Sequence, residues 1–224
     1  MTLFKKLSYD PAKDFTPVAL VATVPFMLVI NPALPIHSVA DFLAFARSKP
    51  GSLSYASSGP GSAAHLFMEF VRTMTGIDVT HVPYRGITQG LNDVVAGHVS
   101  MMFGDVGSAL SLARAGKVRA LGITTAERND SAPEIAPLAE GIPGYDASAW
   151  HMVVAPANTP PAIVERLNAE FRSIASDPEV RKMFVDRGFS AIATPSPAEL
   201  KRYVEAETLR WGKVVAQAGL AGSE

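Results

Sequence analysis

The chain has 224 residues, 48% of them hydrophobic, and its charges nearly cancel, 20 basic against 21 acidic for a net charge of −1. That length and apolar fraction suit a folded protein with a substantial core, built as one large domain or two smaller ones. The charge balance argues against a nucleic-acid binder, which carries a basic excess, and the absence of cysteine excludes disulfides, thiolate catalysis and cysteine-based metal sites.

The first ten residues, "MTLFKKLSYD", have no apolar core after Lys5 and Lys6, so they do not read as a signal peptide. The apolar stretch from Pro17 to Ile36 is interrupted by prolines and by Asn31 and predicts strand and turn rather than a membrane span. Ser38, with Asp41 three residues on, opens a helix that stops near "SKPG". From Leu53 to Thr125 strands and helices alternate. "LSYAS" predicts a strand. "SAAHLFMEFVRTMTG" predicts a helix whose apolar face is Ala63, Leu66, Phe67, Phe70, Val71 and Met74, stopped by Gly76. "DVTHVPY", "VSMMF" and "VRALGIT" predict strands; "ITQGLNDVVAG" and "VGSALSLARAG" predict helices closed by Gly97 and Gly116. This alternation implies a mostly parallel sheet covered by helices.

Residues 130–146 are rich in proline and glycine and predict a loop with a short helix near Glu134 to Ala139; "SAWHMVVAP" predicts another strand. Three helices follow. Pro160 and Pro161 start the first, Asp177–Pro178 the second, ended by Gly188, and the capping box Ser196–Pro197 with Glu199 the third, ended by Gly219. The runs "VALVATVPFMLVI" and "AWHMVVA" bracket the central block and predict crossovers between two lobes. Residues 32–147 then form one lobe, and residues 1–31 with 148–224 the other.

Ligands of open α/β sheets collect at the carboxyl ends of the strands. There the sequence places Ser57, Ser58, Gly59, Gly61 and Ser62, with Ala63 opening the helix; then Tyr84, Arg85 and Gly86; then Gly104 and Asp105; then Thr124 and Thr125. Hydroxyls, glycine amides, helix N-termini and one arginine on one rim predict a site for a small anion, most simply a carboxylate. Each residue also has a plainer role: Ser62 as a helix cap, Gly59 and Gly61 in a tight turn, Arg85 in a surface ion pair. Asp105 would accept from a hydroxyl or ammonium of the ligand, or support the cleft.

Enzyme motifs fit poorly. No Gly-Lys-Ser/Thr occurs, and a nucleophile elbow around Ser62 fails because Pro60 and Ala64 flank it at the glycine positions. Gly59, Gly61 and Ala64 satisfy a loose G-x-G-x-x-A, but Tyr84 and Arg85 stand where a ribose-binding acid belongs, which leaves only an NADP-type enzyme as an alternative. His65 and Glu69, at i and i+4, predict helix-surface pairing rather than a metal site. His81 reads as a packed core or rim residue. No catalytic residue, metal or cofactor is expected.

The segments "YDPAKDFTPVALVATVPFMLVINP", "YASSGPGSAAHLFMEFVRTMTGIDVTHVPYRG", "GLNDVVAGHVSMMFGD" and "WHMVVAPANTPPAIVERLNAEF" closely resemble the TctC/Bug family, the solute-binding proteins of tripartite tricarboxylate transporters. The resemblance covers essentially the whole chain. It implies a two-lobed α/β fold of the type II periplasmic-binding-protein kind, which closes on a small carboxylate or related metabolite and delivers it to a membrane permease without chemistry, in the periplasm. The matching ligand positions are Ser57, Ser58, Gly61 and Ser62, then Tyr84, Arg85 and Gly86, then Asp105. Family members carry a signal peptide and a first βαβα segment that this chain does not show. The resemblance therefore implies a chain shortened at the N-terminus, with its second lobe complete, its first lobe incomplete, and a tendency to dimerise through the incomplete lobe. A cytosolic ligand-sensing domain of LysR-effector type is the other alternative.

Overall fold

The computed structural model describes residues 3–222. The chain divides into two compact units, Met1–Val24 with Trp150–Glu224, and Pro25–Ala149, here called unit 1 and unit 2.

Unit 2 is built on a five-stranded sheet. Its strands are β2 (Phe26–Ile30), β3 (Ser54–Ser57), β4 (Thr80–Pro83), β5 (Met101–Asp105) and β6 (Arg119–Ile123), in the order β4-β3-β5-β2-β6. Strands β4, β3 and β5 are parallel, whereas β2 runs antiparallel to both β5 and β6. The sheet is thus mixed. Its one reversed strand is the run "FMLVI", placed with the first lobe by the sequence reading. All five of its residues are buried, as an interior strand covered on both faces requires. The predicted crossover strand is in fact two strands. β1 (Phe15–Val24) belongs to unit 1, and the chain changes sheets at Pro25, a residue with no N–H to give to a ladder.

The helices of unit 2 follow their local signals. α1 (Val39–Ser48) is capped by Ser38, whose side chain accepts from the Asp41 N–H. α2 (Ala63–Thr75) and α3 (Ile87–Ala96) end on Gly76 and Gly97 at φ 69° and 80°, the left-handed region that a β-carbon disfavours. α4 (Val106–Arg114) starts at Asp105. The loop region holds only one 3-10 turn, Leu138–Glu140. A chain of edge-to-face rings, Phe26–Phe67 at 5.2 Å and Phe67–Phe103 at 6.1 Å, continues to Tyr145, whose hydroxyl donates to the Phe67 carbonyl. The apolar face of α2 lies one position away from the expected stripe. Ala64, His65, Phe67, Met68, Glu69 and Val71 are buried, while Met74 is exposed.

Unit 1 has a smaller sheet, β7-β1-β8, with β7 at Ala149–Pro156 and β8 only Ser190–Ala191. The helices α5 (Pro161–Ser176), α6 (Pro178–Asp186) and α7 (Pro197–Gln217) start where their prolines and caps predict. Strand β8 pairs only with Ala22 and Thr23. Beyond it, side chains close the edge of β1. The Leu20 N–H donates to Thr194 Oγ1 at 2.8 Å, and Asn168 Nδ2 donates to the Val18 carbonyl at 2.7 Å. This accounts for both polar residues being buried.

Candidate functional site

The carboxyl ends of β3, β4, β5 and β6 lie on one rim of unit 2. Two of the predicted loops are tied together there, because the Tyr84 N–H donates to the Ser57 carbonyl at 2.9 Å. The loop Ser57–Ser62 is held mainly by its own atoms. Ser57 is fully buried; its Oγ accepts from the Gly59 N–H at 3.1 Å and lies 2.6 Å from His81 Nε2. Ser62 Oγ donates to the Gly59 carbonyl at 2.7 Å and accepts, at 3.5 Å, from the His65 N–H in the first turn of α2. The Gly61 N–H donates to His65 Nδ1 at 3.0 Å. Gly59 and Gly61 sit at φ 108° and 71°, a backbone that any side chain would strain. Pro60 and Ala63 complete the turn into the helix.

The other predicted groups divide into committed and free. Tyr84 donates its hydroxyl to Asp93 Oδ2 at 2.8 Å; burial and that carboxylate push its hydroxyl pKa up to about 12, so it stays a donor. Asp105 Oδ1 accepts from the Ser108 N–H and caps α4. Thr124 is buried and receives the Phe26 N–H, and Thr125 donates to the Glu127 carbonyl. Arg85 is exposed, and among the described residues its guanidinium has neither a hydrogen bond nor an ion pair; the Ser58 hydroxyl likewise has no partner there. Gly86, next to Arg85, begins α3 with no side-chain cap, so no capping side chain accepts from the first N–H groups of that helix. A cation, a hydroxyl and an uncapped helix start are what a carboxylate would meet on this rim.

Beneath the loop lies a polar network that the sequence reading missed. His65 and Glu69 were expected on the helix surface, and both are buried. The His65 and His81 rings stack with centroids 4.0 Å apart and planes 5° from parallel, and Tyr55 stacks on His81 at 4.9 Å. Tyr55 donates its hydroxyl to Glu69 Oε1 at 2.7 Å, and Arg72 donates to both Glu69 oxygens at 2.8 Å. A buried carboxylate is tolerable because those donors replace its water. Burial first, then the Glu69 carboxylate, raise the Tyr55 pKa well above its ordinary value. Burial, then the neighbouring His65, pull the His81 pKa down to about 4. The i, i+4 spacing of His65 and Glu69 was visible in the sequence, but their burial depends on β3 and β4 packing on that face of α2. Among the described residues no group of three potential metal ligands occurs.

Comparison with known proteins places this architecture. The chain is 36% identical over 216 residues to a UPF0065 protein encoded in the tcbD–tcbE intergenic region of Pseudomonas sp. strain P51, an alignment spanning 96% of this chain and 64% of that relative's length. Among solved structures, Rpa4515 of R. palustris with adipate is 37% identical at a TM-score of 0.88, covering 98% of this chain and 74% of the other. MatC (Rpa3494) of Rhodopseudomonas palustris with bound malate is 33% identical at a TM-score of 0.82, covering 96% of this chain and 74% of the other. At those scores the fold is the α/β fold of the family's binding proteins, of periplasmic-binding-protein type. The model of the tripartite tricarboxylate transporter family receptor, TctC, matches residues 2–220, and this chain belongs to that family.

Proposed function

We propose that this chain is a binding receptor for a small dicarboxylate and that the rim of unit 2 receives one of the two carboxylates. The observation that carries the reading is the set of uncommitted donors: the exposed Arg85 guanidinium, the Ser58 hydroxyl and the uncapped start of α3 at Gly86. Ser57, Gly59, Gly61 and Ser62 shape the loop, Ala63 starts its helix, Tyr84 props the neighbouring turn through Asp93, and Asp105 closes α4. The adipate and malate held by two relatives support the ligand class. The family is a receptor family, and binding rather than catalysis is the reading here. Ser57 and His81 lie as close as a nucleophile and its base, yet Ser57 presents no surface to a substrate. The Gly61 N–H that a pyrophosphate would use is taken by His65, which weighs against the NADP alternative.

In this role the chain captures its ligand in the periplasm, where the family's receptors work, and passes it to a membrane permease. The exposed apolar side chains of unit 1 support self-association of that unit. Calorimetric titration with adipate and with malate tests the reading. The double variant Ser58→Ala/Arg85→Ala is expected to weaken binding roughly tenfold or more, the scale of one lost charge-assisted hydrogen bond. An unchanged Kd in that variant overturns the rim assignment; absence of heat with both acids overturns the ligand class.

A further inference from the structure

The loop Ser57–Ser62 is fastened from below by two imidazoles, and the fastening of Gly61 depends on where a proton sits. His65 Nδ1 accepts the Gly61 N–H at 3.0 Å, so that nitrogen must carry a lone pair and the ring must be neutral with its proton on Nε2. A second proton would put an N–H donor against the Gly61 N–H and break the bond. His81 Nε2 lies 2.6 Å from Ser57 Oγ, the atom that also holds the Gly59 N–H.

The two rings are stacked 4.0 Å apart, too close in a partly dry setting for both to be charged. Ionisable groups face the pair from several elements. On α2, Glu69 Oε1 lies 3.9 Å from His65 Nε2, and Arg72 is paired to Glu69. On β3, Tyr55 stacks on His81 and donates to Glu69. Asp78, ahead of β4, lies 4.0 Å from Arg72. Glu69 is paired with Arg72 and Tyr55, and imidazole is the side chain whose ordinary titration range lies nearest neutrality.

We propose that His65, stacked on His81, forms a proton-sensitive latch that positions the ligand loop: with its Nδ1 unprotonated it holds Gly61 in place, and a proton there lets Gly61 go. Burial and the adjacent His65 pull the His81 pKa down to about 4, so His81 stays neutral beside His65 at neutrality. The inference rests on the reading of this loop as part of the ligand site, and its effect there is indirect: His65 and His81 are positioning residues.

The test uses the full chain labelled with ¹⁵N and titrated from about pH 7.5 to about pH 4. The Gly61 amide signal is expected to move along a sigmoid whose midpoint matches that of the His65 ring protons, before global unfolding. Adipate affinity, compared at each pH with that of His65→Asn so that adipate's own carboxyl titration cancels, is expected to fall roughly five- to tenfold further in the parent, the worth of one net hydrogen bond. His65→Asn places an oxygen near the position of Nδ1 and cannot titrate, so in that variant the Gly61 signal should stop moving with pH. Gly61 remaining still while the ring protons titrate overturns the latch, as does an unchanged Gly61 titration in His65→Asn, or loss of all signals at once with no earlier movement of Gly61. A Gly61 signal that titrates as expected in a protein binding neither adipate nor malate supports the latch and overturns the ligand reading instead.

Discussion

The two units differ in how completely they bury their apolar surface. In unit 2 a five-stranded sheet is covered by amphipathic helices, and among the described residues Met74 is its one large hydrophobic side chain left exposed. In unit 1 the sheet has three strands, one only two residues long, and Phe4, Tyr9, Phe15, Val154, Ile163, Leu167, Ile174, Met183, Val185 and Leu209 are exposed. Its buried cluster centres on Val18, Ala19, Ala155 and Val164, with Val21, Val153 and Phe171 packed against it. The contrast teaches that hydrophobic content does not by itself make a core. Neighbouring elements must be there to cover it, and in unit 1 Thr194 and Asn168 supply hydrogen bonds to β1 that a longer strand would otherwise give.

A series of variants would break or sharpen that contrast. The largest effect is expected from Phe103→Ala. This ring is fully buried between Phe67 and Tyr145, and its loss should cost about 4 kcal/mol in denaturant unfolding. Val164→Ala in the core of unit 1 removes a smaller side chain and should cost less, about 2 kcal/mol; a cost equal to that of Phe103→Ala would mean that unit 1 is the more tightly packed of the two. A smaller effect is expected at a helix start in unit 1. Ser196 and Glu199 form a reciprocal capping box at the head of α7, and Ser196→Ala should lower stability by about 1 kcal/mol. A comparable loss is expected for Ser62→Ala, which removes the 2.7 Å bond to the Gly59 carbonyl together with the long 3.5 Å contact with the His65 N–H. The smallest effect on stability, within about 0.5 kcal/mol, is expected from Ile163→Lys, Ile174→Lys and Leu209→Lys combined. Sedimentation should nevertheless show that this variant associates less than the parent. Identical sedimentation of the two would remove the case for self-association through unit 1.

Much of the fold was legible because its signals are local. Ser38, Asp177 and Ser196 cap the helices they were expected to cap, and Gly76 and Gly97 stop theirs in the left-handed conformation. Each of these depends on hydrogen bonds within a few residues. The rim residues were also legible, since strand ends and helix starts follow from the same signals. The strand β8 was missed because two residues carry no periodicity. The reversed direction of β2 was missed because an apolar run looks the same whichever way it is threaded.

Within the rim the residue types were readable in advance, while their division of labour was not. Ser57 and Ser58 are neighbours with the same side chain. One is buried against His81, and the other keeps a hydroxyl without a partner among the described residues. His65 and Glu69 looked like a surface pair because helical spacing reports which residues share a face and not what covers it. By itself, the sequence determined the helix boundaries, the strand-end loops and the family. Only the tertiary structure decided that α2 turns His65 and Glu69 inward, against Tyr55 and His81. The physical reason is that caps and turns are satisfied by atoms close along the chain, whereas a buried polar network exists only once β3, β4 and α2 have packed and excluded the water that would otherwise hold each of its groups.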